Sequence, residues 1–305
     1  MNASLDRLVV GLCKLTARLP FRALFFLADV FYVILYYIIG YRKKTVIANL
    51  KNSFPEKSPG EIKRITKKYY HYLSDIGLET IKYSRMSEKE IDDRLKIRNP
   101  EIFEEYYQQG KSVTLLGMHH NNWEWCGSMQ RFIKGQFYVV YNPVRKNQAL
   151  EQFIIENRER FGAKTVPVHH SVRVALEMNK AERPGVLILV GDQTPRATSH
   201  FWTTFLNQET AFFAGPMKIS VKNNQPVLFQ HTRRTGRARY EVFYYKLVDN
   251  PTEVEPEEIL MKYIDIMEDI IKAEPEYWLW SHRRWKHKRP ANIEMHPRKK
   301  EPSAG

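Results

Sequence analysis

Four short apolar runs in the middle of the chain limit the fold more than any other feature. They read SVTLLG (112–117), FYVVY (137–141), KTVPV (164–168) and GVLILV (185–190). Each is too short for a buried helix and is rich in β-branched or aromatic residues, as a strand covered on both faces requires. Between them lie stretches with helical spacing, over 123–134, 147–161 and 171–182. Strand, helix, strand, helix predicts an α/β fold: a mostly parallel central sheet flanked by helices. Before the first run, residues 42–83 read as helix, with a break at Phe54-Pro55 and a fresh start near Ser58–Glu61. After the last, Pro226–His231 and Tyr240–Leu247 flank the basic turn RRTGRAR and predict a hairpin, and Pro256–Ala273 is a final amphipathic helix. A chain of 305 residues suffices for one such domain with additional helices.

The N-terminal region has a different texture. Ala23–Gly40 reads ALFFLADVFYVILYYIIG, with Asp29 as its only charge, and runs into Arg42-Lys43-Lys44. Its length is at the lower edge for crossing a bilayer, and it lacks the small-residue cleavage site of a signal peptide. It predicts an N-terminal hydrophobic helix that spans the membrane or lies in its interface; if it spans, the basic cluster puts the body on the cytoplasmic side. The expected organisation is a membrane segment over 1–44, a catalytic domain over 45–290 and a basic, unstructured tail over 291–305. A net charge of +14 favours anionic partners such as lipid headgroups, nucleic acid or an acidic carrier protein. The two cysteines, Cys13 and Cys126, are far apart, which argues against a disulfide framework or a zinc site, and no metal is expected.

The chemistry-bearing stretch is GMHHNNWEW (117–125). His119 falls at the carboxyl end of the first strand, where ligands bind in open α/β sheets. On one straight helix the five-residue offset to Glu124 turns about 140°, so the pair would not share a face. With His119 on the loop and Glu124 in the first helical turn, they can converge as a base and the carboxylate that orients it, beside N–H groups able to stabilise an anion. Equally, Asn121-x-x-Glu124 fits a capping box, which needs no catalysis. His120 reads as structural.

The stretch resembles the His-then-acid block of the lysophospholipid acyltransferase superfamily, and most closely that of the bacterial lipid A biosynthesis (lauroyl/myristoyl) acyltransferases. RKKTVIANLKNSFPE (42–56), NPVRKNQALEQFIIENRERFGAKTVP (142–167), VLILVGDQTP (186–195) and PEYWLWSHRRWKHKRP (275–290) are similar to further blocks of that family, in the same order. Asn121 departs from it, standing where many relatives carry glycine.

The resemblance implies a glycerolipid acyltransferase-like fold and an O-acyltransferase that needs no cofactor. It would move a fatty acyl chain from a thioester, on acyl carrier protein, to a hydroxyl of a lipid A precursor at the bacterial inner membrane, with its catalytic domain on the cytoplasmic face. His119 is then the general base and Glu124 its partner. Arg158, for which Arg160 competes in the match, and Asn122 are expected to contact substrate or the oxyanion, and Asp192, at the end of an apolar strand facing the site, to orient His119 or to contact a polar group of the substrate. Trp123, Trp125, Phe201, Phe205, Phe212 and Phe213 are candidates for the acyl pocket, although any one could be ordinary core. Other lipid acceptors, an aminolipid or a glycosylated phospholipid, fit the same motif. So does a scaffold that has lost activity, against which the intact His119 and Glu124 argue. The tryptophans interleaved with the basic tail suit anionic lipid beside a glycolipid acceptor better than nucleic acid, which is not expected as a partner.

Overall fold

The computed structural model describes residues 3–144, 147–182 and 184–298. Its nine strands are β1 (Leu95–Ile97), β2 (Val113–Gly117), β3 (Phe137–Tyr141), β4 (Lys164–Pro167), β5 (Val186–Val190), β6 (Phe201–Phe205), β7 (Gln208–Phe212), β8 (Val227–Gly236) and β9 (Arg239–Val248). Seven of them form one sheet in the order β1-β9-β8-β2-β5-β3-β4, parallel except for the β8–β9 hairpin. The α/β class expected from the apolar runs is the fold observed. All five residues of β2 are buried, and so are the first four of β5, as helices on both faces demand. The short antiparallel pair β6–β7 stands apart from this sheet and has no counterpart in the sequence reading.

The α-helices are α1 (Ala3–Thr16), α2 (Phe21–Val33), α3 (Lys43–Ser53), α4 (Pro59–Tyr83), α5 (Glu88–Arg94), α6 (Glu101–Gln108), α7 (Gln148–Glu159), α8 (Ser171–Lys180), α9 (Gly215–Asn223) and α10 (Pro256–Ala273). The break at Phe54-Pro55 separates α3 from α4. The latter starts with Pro59 behind Ser58, whose hydroxyl accepts the Glu61 N–H while the Glu61 carboxylate accepts the Ser58 N–H. This 25-residue helix is the spine against which α2 packs.

The apolar N-terminal segment has two faces. From α2 through a turn of π-helix at Ile34–Ile38, Phe21, Leu24, Ala28 and Tyr36 are buried against the body. Phe26, Phe31, Tyr37, Ile38 and Ile39 are exposed. Asp29 accepts hydrogen bonds from Arg237 at the tip of the β8–β9 hairpin, and its Oδ1 lies 3.0 Å from His71 Nε2. Arg237 in turn reaches Asp75 of α4. The segment is thus part of the folded body rather than a separable anchor. At the other end, residues 291–298 are held. His296 stacks on Phe201, its N–H reaches Trp202 O, and Arg298 bonds to Glu268. Of the tail expected to be unstructured, 299–305 lie outside the described residues.

Candidate active site

The parallel register explains how two residues far apart in sequence meet. Gly117 of β2 pairs with Val190 of β5. Two residues beyond each strand end are His119 and Asp192, now side by side at the carboxyl edge of the sheet. Asp192 Oδ1 lies 2.6 Å from His119 Nδ1, and Oδ2 accepts the His119 backbone N–H at 2.9 Å. The Trp278 indole donates to the same Oδ2 at 2.7 Å. Trp278 is brought there by the C-terminal segment, which lies alongside residues 119–121 like a short strand: Leu279 N–H reaches His119 O and Asn121 N–H reaches Tyr277 O. Burial opposes the ionised form of Asp192. The His119 charge, the two bonds from that residue and the indole outweigh it, and the carboxyl is held at about 2. An ionised carboxylate can only accept, so it fixes the Nδ1–H tautomer of neutral His119 and leaves the Nε2 lone pair for chemistry.

The carboxylate on the His119 ring is therefore that of Asp192, not that of Glu124. Glu124 turns to Arg158, which it grips through Nε (3.2 Å) and Nη2 (3.0 and 2.9 Å), and it accepts the Trp123 indole at 2.9 Å. The reason is local. The segment after the strand is a 3₁₀ helix, Glu124–Phe132, pressed against the end of α7. A Cβ on Gly127 would stand 2.1 Å from the Arg158 carbonyl oxygen, so glycine alone permits the approach that brings Arg158 to Glu124. Arg160, the competing match, instead donates to Tyr83 O.

The capping box does not form either. Asn121 adopts a left-handed φ of 56°, the conformation that glycine adopts most readily, and its amide reaches Thr232 O. Asn122 takes over the cap: its Oδ1 accepts the Glu124 N–H, and its Nδ2 donates to the buried Glu79 at 2.9 Å. Asn122 is thus part of the buried support of the turn, away from any substrate. The N–H groups of His119, His120, Asn121, Trp123 and Glu124 are all engaged within the protein, so they form no open anion-binding nest. His120 points inward. Its Nε2 is 3.1 Å from Glu274 O, and burial lowers its pKa to about 3.

A cavity of about 820 Å³ opens at His119. Its apolar walls include Val139 and Val140 of β3, Ile154 of α7, Ile188 and Leu189 of β5, and Ile219 of α9. Of the six aromatic candidates, Trp123 and Phe213 line it, and the Trp123 ring stands edge-on to His119 at 5.0 Å. Trp125 is core beneath the turn, packed on Tyr83 and Tyr240. Phe205 is core between Phe212 and Trp278. Phe201 and Phe212 border a separate space of about 300 Å³ that Phe213 and Ala214 also touch. Cys126 lines the main cavity, but burial pushes its thiol up to about 12, which leaves no thiolate to act as a nucleophile. Sequence reasoning missed Gln193 and Trp278 as members of the site. Both stood in blocks that carried the family resemblance.

A histidine oriented by a buried carboxylate thus stands at the sheet edge, over a largely apolar cavity. The model of the family described as bacterial lipid A biosynthesis acyltransferases matches residues 2–287, and the chain belongs to that family. It is an acyltransferase that acts on lipids. Among solved structures it is similar to the 1-acyl-sn-glycerophosphate acyltransferase of Thermotoga maritima, with 14% identity, a TM-score of 0.36, and coverage of 90% of this chain and 99% of that one. A search of curated proteins returns no match.

Proposed function

We propose that the protein moves a fatty acyl chain from the thioester of acyl carrier protein to a hydroxyl of a lipid A precursor at the cytoplasmic face of the inner membrane. The observation that carries this is the His119–Asp192 pair at the mouth of the 820 Å³ cavity. His119 Nε2 takes the hydroxyl proton as the oxygen attacks the thioester carbonyl. The carbon–sulfur bond breaks, and the imidazolium returns the proton to the departing thiolate. Asp192 stabilises that imidazolium, and no acyl-enzyme is needed. Arg158 lines the cavity with Nε and Nη2 committed to Glu124, so its Nη1 is the end that can reach a substrate oxygen. Arg196 and Lys286 at the rim give a phosphorylated acceptor its counter-charges. The test is direct. Purified protein is given fatty acyl thioesters of carrier protein or coenzyme A, with a lipid A precursor, an aminolipid or a mannosylated phospholipid as acceptor, and the products are read by mass spectrometry. Acylation of the aminolipid alone would overturn the proposed acceptor.

The cavity should also select chain length. Each buried methylene contributes about 0.8 kcal/mol, roughly fourfold in binding. Glu151, Ile154 and Arg158 share the face of α7 that lines the cavity. Ile154→Trp is expected to move the preferred donor to shorter chains while retaining turnover, as read with a donor series of graded length. An unchanged preference at a uniformly lower rate would place the selective wall elsewhere.

Membrane association belongs to the same reading. The 18-residue apolar stretch Phe21–Ile38 is docked on α4 along one face and tied through Asp29 to Arg237, so we assign it to the interface, with Phe26, Phe31 and Ile38 toward lipid. The double variant Phe31→Glu/Ile38→Glu is expected to lose flotation with anionic vesicles while keeping its melting temperature. Undiminished flotation would move the contact to another surface.

A further inference from the structure

The atom that must accept the substrate proton is already occupied. Gln193 Nε2 lies 3.1 Å from His119 Nε2. Asp192 and Gln193 are consecutive residues of the loop after β5, and between them they hold both nitrogens of one ring. The sense of the second bond follows from the first. With Nδ1–H given to the ionised Asp192, neutral His119 offers only a lone pair at Nε2, so the Gln193 amide donates to it. Gln193 lines the acyl cavity and is only partly buried, which leaves its side chain free to swing aside.

We propose that Gln193 is a latch on the catalytic base, a specificity-determining residue that lets a bound lipid acceptor reach His119 but holds water back. The proposal rests on His119 being the general base. A hydroxyl and the Gln193 amide compete for one lone pair, and an ordinary neutral hydrogen bond biases such a contest by roughly two- to tenfold. A lipid acceptor brings binding energy from its remote parts and can displace the amide; water has none to bring. The reaction being restrained is hydrolysis. A water proton would pass to Nε2, the oxygen would attack the thioester carbonyl, the carbon–sulfur bond would break, and the thiolate would take the proton back, wasting the donor. A base in an open cavity, waiting for an acceptor that arrives from the membrane, is exposed to this loss in every cycle.

The latch makes a prediction opposite to that for a substrate-binding residue. Without the amide, the competent state no longer has to be won from Gln193, so the acceptor KM falls. Acceptor-free hydrolysis of a saturated fatty acyl thioester rises about fivefold, and the ratio of hydrolysis to transfer rises with it. Gln193→Ala tests this. Gln193→Met, of similar length and unable to donate, tests it again should the alanine variant fold poorly. Thiol release is measured with and without acceptor, alongside acceptor KM and the melting curve. An unchanged ratio, or a raised KM with both rates falling together, overturns the latch. His119→Ala separates the two levels. If it abolishes transfer and hydrolysis while Gln193→Ala leaves the ratio unmoved, the latch alone fails. If His119→Ala keeps transfer, the base assignment fails, and the latch falls with it.

Discussion

In His119→Ala, acyl transfer is expected to fall by about 10²–10⁴-fold or more, the usual cost of losing a positioned base. The fold survives because the side chain removed lines the cavity rather than filling the core. Asp192 keeps two donors, the residue-119 backbone N–H and the Trp278 indole. Asp192→Asn should approach the same loss by another route, since an amide can still meet Nδ1 but supplies no charge to the imidazolium that forms. His120→Ala provides the contrast. That ring is buried, neutral and bonded to Glu274 O, so its loss should appear in the melting curve far more than in initial rates. Equal loss of turnover in the His119 and His120 variants, with both chains folded, would remove the distinction drawn between them.

The sequence made the frame legible and mispaired the site, and the two outcomes share a cause. β2, β3, β5 and α10 were readable because burial on two faces, or on one helical stripe, writes a local pattern. The β6–β7 hairpin was not. Phe201, Phe205 and Phe212 looked like pocket aromatics when several of them serve the core under that hairpin. The cavity walls were missed for the mirror reason: Val139, Ile188 and Leu189 read as strand core, and nothing local says that their outer ends border a space. Spacing alone favours Glu124, because 73 residues and a sheet register separate His119 from Asp192, and only the place of Asp192 at the end of an apolar strand marked it as a group that could orient His119. Glu124, five residues away, was the only acid in local reach. What the spacing did encode was a turn. Asn121 supplies the left-handed residue and Asn122 the cap, so the residues around His119 are shaped by backbone needs as much as by catalysis.

Glu124 therefore carries the sharpest disagreement between spacing and geometry, and the two accounts predict opposite measurements. Its carboxylate and the Arg158 guanidinium are both largely shielded from solvent, with side chains 17% and 15% exposed. Removing one member of a pair so enclosed strands the other charge and costs about 3–5 kcal/mol. Glu124→Gln is expected to lose stability on that scale, and Arg158→Met by a similar amount, because each leaves its partner facing a low-dielectric wall formed in part by Trp123. Glu124→Met/Arg158→Met should cost much less than the sum of the two single changes, since neither charge is then left alone; the coupling is read from a double-mutant cycle of denaturant midpoints. Turnover in the singles falls as well, through a displaced Arg158 at the cavity wall, and the double variant should regain stability without regaining rate. If Glu124→Gln instead kept its full stability and lost only turnover, the carboxylate would be acting on His119 after all, through a rearrangement that brings the two together when substrate is bound.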